Sequence, residues 1–494
     1  MNSTPPLVVD LDGSLLRGDS LHESVAASLT RPGVLLGAAR ALVTSGRAAL
    51  KRYLAERTDV DTDLLPVNQA VLDFVRAEHA SGRKIYLATG ADSSLSAAMV
   101  RRFPEFDGSF GSDGETNLTS ENKVDLLVAK FGAQGFDYVG NSTKDLAVWR
   151  QANRSYLVTP STSGAAMPGW ARGVDFAGVL REQGRPIWRV WLKELRVHQS
   201  LKNLLLFLPL LAAHEFGDAR LVLLLVAGFI SFTFMASSVY LLNDLLDLRS
   251  DRMHARKSQR PLAAGLILPL HALVVSLLLA VVALAGAVAI GVGFTVVLVS
   301  YAVLTCLYSF WLKRVTLVDV TVLAMLYMIR IIAGAVIAGI SLSFWFTGVA
   351  LFLFVSLALV KRYTELSRPV APDAHHGLPG RGYVRSDAAV VLPLGIGAGM
   401  AVLLLLAIYL QTDAVARLYP SGVFLWLVIP AMFYWIANMW IQAGRGAMHD
   451  DPIIFALKNP ASLISVAITG VLFLAASTPL ASMIKQALTW LGAR

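Results

Sequence analysis

Cysteine is all but absent from this chain, with one residue, Cys306, in 494. A disulfide scaffold and a cysteine-based metal centre are thereby excluded. Charge is scarce too: 16% of residues are Asp, Glu, Lys or Arg, where about 25% is usual for soluble domains. From 262 to 312 there is none at all. Residues 1–6 carry no basic residue, and the apolar run after them is cut by Asp10 and Asp12. No secretory signal is therefore expected, and the first half should stay where it is made. What the chain has in abundance is apolar, 55% of residues, which excludes a disordered protein. A mean hydropathy of +0.59 is high for a soluble enzyme and low for a chain that is all membrane, so it averages two unlike halves.

The charge-free stretch has room for two helices of about 20 residues, the length that crosses a hydrocarbon core. Nothing comparable precedes residue 201. Nine spans are predicted, near 201–216, 221–241, 267–288, 292–312, 316–338, 344–361, 389–411, 422–441 and 462–484. Basic residues gather in alternate connections, among them Arg249, Arg252, Arg256, Lys257 and Arg260, then Lys313 and Arg314, then Lys361, Arg362, Arg368, Arg381 and Arg385, then Arg445 and Lys458. By the positive-inside rule these loops and the N-terminal half are cytoplasmic at the plasma membrane, with the C-terminus on the opposite side. The segment 185–202 mixes Trp188, Trp191 and Leu195 with Arg189, Lys193 and Arg196, and reads as an interfacial helix. The net charge of +9 is then explained by topology and anionic lipid; the basic residues hug span ends and form no nucleic-acid patch.

After the second span comes Asn243-Asp244-x-x-Asp247-x-x-x-Asp251, then Lys257 and Arg260. On a continuing helix Asn243, Asp247 and Asp251 share one face, with Asp244 beside it. Carboxylates stacked in this way call for a cation, and oxygen-only ligands favour Mg²⁺ shared with substrate phosphates. Lys257 and Arg260 suit phosphate oxygens. Further elements follow other cytoplasmic span ends: Tyr308, Lys313 and Asp319; Lys361-Arg362-Tyr363-x-Glu365; and His449-Asp450-Asp451-Pro452. Arg330 lies inside the fifth span, where an ionisable group is expensive and usually functional; an ion pair with Asp319 or Asp247 is the structural alternative. All these clusters are expected to line one cytoplasmic cavity.

These motifs resemble the UbiA superfamily of intramembrane prenyltransferases over roughly 190–494. The set Arg330…Ala333-Gly334, Ser343-Phe344-Trp345-Phe346, Lys361-Arg362-Tyr363 and His449-Asp450-Asp451-Pro452 is similar to its decaprenyl-phosphate phosphoribosyltransferase branch. The second acidic motif is reduced, with Asp319 its clear aspartate. The resemblance implies transfer of 5-phosphoribose from phosphoribosyl diphosphate (PRPP) to a polyprenyl phosphate, toward the arabinose donor of cell-envelope polysaccharides. Asp244, Asp247 and Asp251 would hold Mg²⁺, and Asp247, Asp251 and Asp319 are the candidate catalytic residues. Asn243, Lys257, Arg260, Tyr308, Lys313, Arg330, Lys361 and Arg362 would bind substrate and phosphate. Prenyl transfer from a prenyl diphosphate to an aromatic acceptor is the alternative within the superfamily.

The chain opens on a short apolar strand followed by Asp10-x-Asp12-Gly13-Ser14. Carboxylates two residues apart suit covalent phosphoryl transfer, in which one attacks and the other protonates the leaving oxygen. A second strand ends Ala88-Thr89-Gly90, Lys123 heads a helix, and a third strand closes Gly140-Asn141-Ser142-Thr143-Lys144-Asp145. The ordered set looks like the haloacid dehalogenase (HAD) superfamily. The resemblance implies Asp10 as nucleophile, Asp12 as general acid/base, Thr89 and Lys123 on phosphate, with Lys130 the alternative lysine, and Asp10, Asp12 and Asp145 around Mg²⁺. Asn141 departs from the pattern, which often has Asp there, and leaves a regulatory role open.

The expected architecture is an α/β HAD-like domain, doubly wound, over 1–160 with a helical cap at about 17–75. A linker and interfacial helix at 161–199 lead to an all-α bundle of nine transmembrane helices over 200–494. The fusion suggests that the soluble half removes the 5-phosphate from the lipid product of the membrane half. The partners expected are PRPP, a polyprenyl phosphate lipid and the bilayer, without nucleic acid; a homo-oligomer is possible, and a transporter with a regulatory domain is the non-enzymatic alternative. His375, His376 and Cys306 carry no expected role.

Overall fold

The structure, a computed structural model, describes residues 4–113, 116–159, 167–181, 184–215, 217–368, 381–448, 451–479 and 483. Two compact units are present: Met1–Val197 with Tyr240–Leu279, and His198–Val239 with Ala280–Arg494.

The first unit is built on a parallel sheet of six strands. In chain order it runs β1 (Leu7–Val9), α1 (Ser20–Ser28), α2 (Pro32–Arg57), α3 (Gln69–Ala80), β2 (Ile85–Asp92), α4 (Ser93–Arg102), β3 (Gly108–Ser112), α5 (Glu121–Phe131), β4 (Asp137–Gly140), α6 (Leu146–Gln151), β5 (Ser155–Thr159), β6 (Gly178–Arg181) and α7 (Ile187–Glu194). The strand order is β3-β2-β1-β4-β5-β6. β1 is buried on both faces, as an inner parallel strand must be. Leu7 and Val9 join one core with Leu87 and Val139, whereas Val8 joins the other with Ala88 and Tyr138. Because β1 lies between β2 and β4, the ends of these strands bring Asp10, Thr89 and Asn141 to one edge. Ligands bind at such carboxyl ends in open α/β sheets.

α3 packs Val71, Leu72 and Val75 onto the sheet, so it belongs to the core and not to the expected cap; α2 reaches the sheet only at its second half, where Lys51 donates to Gly90 O of β2. Gly46, at φ 80, breaks α2. The expected domain end at 160 and the linker that follows need correction. Residues 167–181 return to the sheet, with Met167, Trp170, Phe176 and Val179 on the core and Trp170 stacked on Trp149 at 6.0 Å. Composition rich in Ser, Gly and Pro hid these few apolar anchors.

Later in the chain come α8 (Leu208–Ala212), α9 (Ala219–Leu246), α10 (Leu248–Met253), α11 (Pro269–Ile290), α12 (Val292–Phe310), α13 (Val318–Ala338), α14 (Phe344–Leu366), α15 (Ala388–Leu410), α16 (Asp413–Leu418), α17 (Val428–Gly444), α18 (Pro452–Lys458) and α19 (Pro460–Ser477). Among the described residues, eight helices are long and apolar enough to cross a membrane, not nine. The first expected span, 201–216, is a 3₁₀ run at Val197–Phe207 followed by the short α8. Pro209 lacks the N–H that a continuous α-helix would need there.

The second unit packs α13, α14, α15 and α17 around Phe354, Leu359, Val402, Ile436 and Trp440. Gly334 lets the chain come close: a Cβ there would run into the Leu206 backbone. Gly334→Ala should therefore destabilise the detergent-solubilised protein by about 1–3 kcal/mol, the cost of overpacking. Gly470→Ala, with open space around it, should leave the thermal midpoint unchanged; an equal drop in both would contradict the contact.

Candidate active sites

At the sheet edge, the Asp10 carboxylate accepts from Lys123 Nζ at 2.7 Å and from Ser14 Oγ at 3.2 Å. Asp12 accepts from Ser20 N at 2.8 Å and Ser20 Oγ at 2.9 Å. Gly13 has φ 76, and a Cβ there would strike the Asn141 side chain, so the turn needs glycine on both counts. Thr89, fully buried, caps its own loop by accepting from Ala91 N at 3.0 Å. Lys123 also donates to Tyr138 Oη at 2.9 Å and lies 3.9 Å from Asp145. Asp10, Asp12 and Thr89 thus sit at adjacent strand ends, and Lys123 reaches Asp10 from α5.

Asp145 is tied into its own loop. Its Oδ2 accepts from Asn141 N, Ser142 N and Ser142 Oγ, and its Oδ1 from Tyr138 Oη at 2.8 Å. It anchors the loop, whereas the side chain that meets the Asp10–Gly13 turn is Asn141. Burial, followed by the charges of Asp19 and Asp10, pushes Asp12 up to about 7. Burial is also the main reason that Asp10 is pushed up to about 6, against the pull of Lys123. These two carboxylates carry charge that the protein only partly offsets, and they fit a divalent cation. Among the described residues no three acidic, His or Cys side chains converge as a metal cage.

The second acidic centre lies in the same unit. α9 ends at Leu246, and Asp247 caps α10 instead of continuing the helix. The face predicted for a single helix is therefore rearranged. Asp244 and Asp251, 2% and 1% exposed, both meet Arg260 Nη1, and Arg196 Nη2 lies 2.6 Å from both Asp244 oxygens. Lys257 Nζ is 3.4 Å from Asp251 Oδ1. Asp247 instead accepts from Asn243 Nδ2 at 3.4 Å. Lys257 and Arg260, expected on phosphate, here neutralise carboxylates. Asp251 Oδ1 is buried without a hydrogen bond, so Asp244 and Asp251 have the chemistry to share a divalent cation.

Arg196 escaped the sequence reading because it looked like interfacial charge. Its φ of 52 is rare for a residue with a side chain, and such strain gathers at functional sites. Glu194 was missed as well. It is 2% exposed, accepts from Leu262 N at 3.3 Å, and is pushed up to about 7 by burial and then by Asp244.

One helix touches both centres. Ser20, the first residue of α1, holds Asp12, and Glu23 of α1 pairs with Arg252 of α10 through contacts of 2.9 and 2.7 Å. Ala26 adds an apolar contact in a core with Leu241, Leu245 and Leu248.

In the second unit, Lys202 Nζ and Lys361 Nζ lie 2.6 and 3.7 Å from Asp451 Oδ2, and Tyr327 Oη donates to it at 3.2 Å. Arg330 donates to Asn203 Oδ1 at 2.9 Å, Tyr301 Oη at 3.1 Å and Leu326 O, with its guanidinium over the Tyr301 ring. No described carboxylate pairs with it, so the alternative of an ion pair with Asp319 or Asp247 is absent among the described residues. Lys202 and Asn203 were hidden at the head of an apolar run.

Asp319 and Arg362, expected at the reaction, are locked together at 2.6 Å with both side chains fully buried. Tyr383 Oη donates to Asp319 at 2.6 Å, and Arg362 also meets Glu365. Arg381 Nη1 donates to Tyr308 Oη at 3.0 Å and lies 3.6 Å from Asp319. This cluster reads as a structural lock. Lys313 lies in the turn Leu312–Arg314. His375, His376, His449 and Asp450 lie outside the described residues.

Residues 204–458 match the UbiA prenyltransferase family. The chain belongs to that family. It is 35% identical over 461 residues to the uncharacterized protein y4nM of Sinorhizobium fredii, covering 92% of this chain and 88% of that protein. It is 38% identical over 178 residues to decaprenyl-phosphate phosphoribosyltransferase of Mycobacterium tuberculosis, covering 35% of this chain and 59% of that enzyme. The N-terminal region has a structural neighbour in phosphoserine phosphatase in apo form, at 12% identity and a TM-score of 0.27, covering 38% of this chain and 98% of that one. This UbiA protein, with its run of apolar helices, is a multi-pass membrane protein.

The raised carboxylates make a pH prediction. Their folded values of about 6 and 7 lie above the ordinary 3.8, so the stability they contribute is full below about pH 4 and is lost as pH rises through 6–7. In EDTA, amide exchange of β1 and β4, corrected for intrinsic rate, should be faster at pH 8 than at pH 5. The protection lost is on the order of 1–3 kcal/mol. Asp10→Asn should shrink that difference; an unchanged difference would show that Asp10 is not its source.

Proposed function

We propose that the membrane half transfers 5-phosphoribose from PRPP to a polyprenyl phosphate. The N-terminal half, a HAD-like fold with a helical cap, then removes the 5-phosphate from the lipid product. Family membership supports transfer within the membrane, and the similarity to the mycobacterial phosphoribosyltransferase supports the choice of donor. The observation that carries the tandem reading is α1, whose Ser20 holds Asp12 and whose Glu23 grips Arg252, next to Asp251. The bias of basic residues toward alternate connections supports a cytoplasmic face for both steps.

In the transfer, the bond between the ribose anomeric carbon and the diphosphate oxygen breaks. An oxygen of the lipid phosphate bonds to that carbon, and diphosphate leaves. Lys202, Lys361 and Arg330 outnumber Asp451, an excess that suits a bound phosphate. Mg²⁺ held by Asp244 and Asp251 would supply Lewis-acid stabilisation of the leaving diphosphate. The residues themselves supply positioning and fixed charge, with no protein nucleophile.

In the hydrolytic step an oxygen of Asp10 attacks phosphorus while the bond to the C5 oxygen of ribose breaks. Asp12 gives that oxygen its proton. Water then attacks the aspartyl phosphate and returns a proton to Asp12, and inorganic phosphate leaves. Lys123 and Thr89 hold the phosphoryl oxygens.

A second reading is prenyl transfer to an aromatic acceptor, with the N-terminal half regulatory. Asn141 in place of an acid, and Asp145 serving as a loop anchor, favour it. Incubating the purified protein with PRPP, Mg²⁺ and polyprenyl phosphate, and weighing the lipid products, separates the two. Wild type should yield a ribosylated lipid without the 5-phosphate, and Asp10→Asn should accumulate the phosphorylated form. Asp251→Asn should lose lipid product by 100-fold or more. The same single product from wild type and Asp10→Asn would refute the tandem, and prenylation of an aromatic acceptor without PRPP would establish the second reading.

A further inference from the structure

Between α1, the second half of α2 and the head of α4 lies a cavity of about 190 Å³. It adjoins the phosphatase centre through two supports. Ser20 lines it and holds Asp12. Lys51 lines it and donates to Gly90 O, the residue after Thr89, at 2.5 Å and to Asn117 Oδ1 at 3.0 Å. The acid that protonates a leaving oxygen has to touch it. With Asp12 in that role, the alcohol part of a phosphate ester extends past Ser20, into this cavity.

The lining specifies the chemistry of that alcohol. Ser24 Oγ donates to Ser20 O at 3.0 Å, Thr58 Oγ1 to Leu54 O at 2.7 Å, and Ser94 Oγ to Asp92 Oδ1 at 2.6 Å. Each hydroxyl has spent its proton on the protein, so what it offers a ligand is lone pairs. With the Asp92 carboxylate, the polar side of the wall is a set of acceptors, which receives O–H donors, and Leu21, Val60 and Leu95 give it an apolar side that suits the carbon face of a sugar. Lys51 has three N–H donors and uses two on the protein, which leaves one for an anionic oxygen. The volume is below the roughly 300–1,000 Å³ of drug-sized pockets; it suits one sugar ring and excludes a polyprenyl chain.

We propose that this cavity is the leaving-group subsite of the phosphatase centre and that it takes a phosphorylated pentose, lipid-linked or free, through the pentose hydroxyls. The proposal rests on reading Asp10 as a phosphatase nucleophile, and binding separates the two claims. Full-length Asp10→Asn in detergent is titrated calorimetrically with ribose 5-phosphate, inorganic phosphate and polyprenyl-linked 5-phosphoribose. Ribose 5-phosphate should bind at least tenfold more tightly than inorganic phosphate, and the double change Thr58→Val with Ser94→Ala should erase that advantage. Ala98→Leu, which fills the cavity from its wall, should erase it by a second route. Equal affinity for ribose 5-phosphate and inorganic phosphate, or an advantage that survives both variants, overturns the subsite. The tighter of the free and lipid-linked forms identifies the source, and either supports the same chemistry. Pentose binding without hydrolysis by wild type would keep the subsite and remove the phosphatase reading.

Discussion

Arg260 is the counter-charge on which the Asp loop depends. Its Nη1 reaches Asp244 and Asp251 together, two carboxylates that are almost wholly buried. Leaving either without a cation would cost several kcal/mol, because an unpaired buried charge keeps its desolvation penalty and loses its Coulombic return. Lys123 does the same for Asp10. A divalent ion would satisfy the paired carboxylates and release the guanidinium or ammonium toward phosphate oxygens.

The same demand shapes the contact between the centres. Glu23 and Arg252 are both buried, with side chains 5% and 8% exposed, so neither tolerates loss of the other. Arg252 also donates to Ala263 O at 3.1 Å, which ties α1 to the loop that carries Arg260. Apolar packing of Ala26 against Leu241 and Leu245 excludes water from the joint. Asp12 and Arg252, the neighbour of Asp251, are thus both held by one short helix.

Much of this was legible in the sequence. The Asp10-x-Asp12-Gly13 turn, Thr89 and Lys123 follow short apolar strands or head a helix, and local pattern is enough to order them along a parallel sheet. Gly13 itself is explained by its positive φ and by Asn141. Apolar runs predicted most of the long helices, but Pro209 and the 3₁₀ run before it removed one. The helix assumed through Asp247 bends there, which is why Asp247 parted from Asp244 and Asp251. Arg196, Glu194, Lys202 and Asn203 could not be found by spacing, because each acts on a partner far away in the chain.

The sequence by itself determined the kinds of chemistry available: acidic pairs beside apolar ends, and a half rich in long apolar helices distinct from one of mixed composition. These depend on residue type and on separations of a few positions, which the backbone's own periodicity converts into geometry. Only the tertiary structure decided who neutralises whom. It spent Asp319 and Arg362 on each other, made Asp145 a loop anchor, brought Arg196 to Asp244, and joined Glu23 to Arg252. Such pairings are settled by burial, since a charge taken from water must accept the nearest partner that the packing provides.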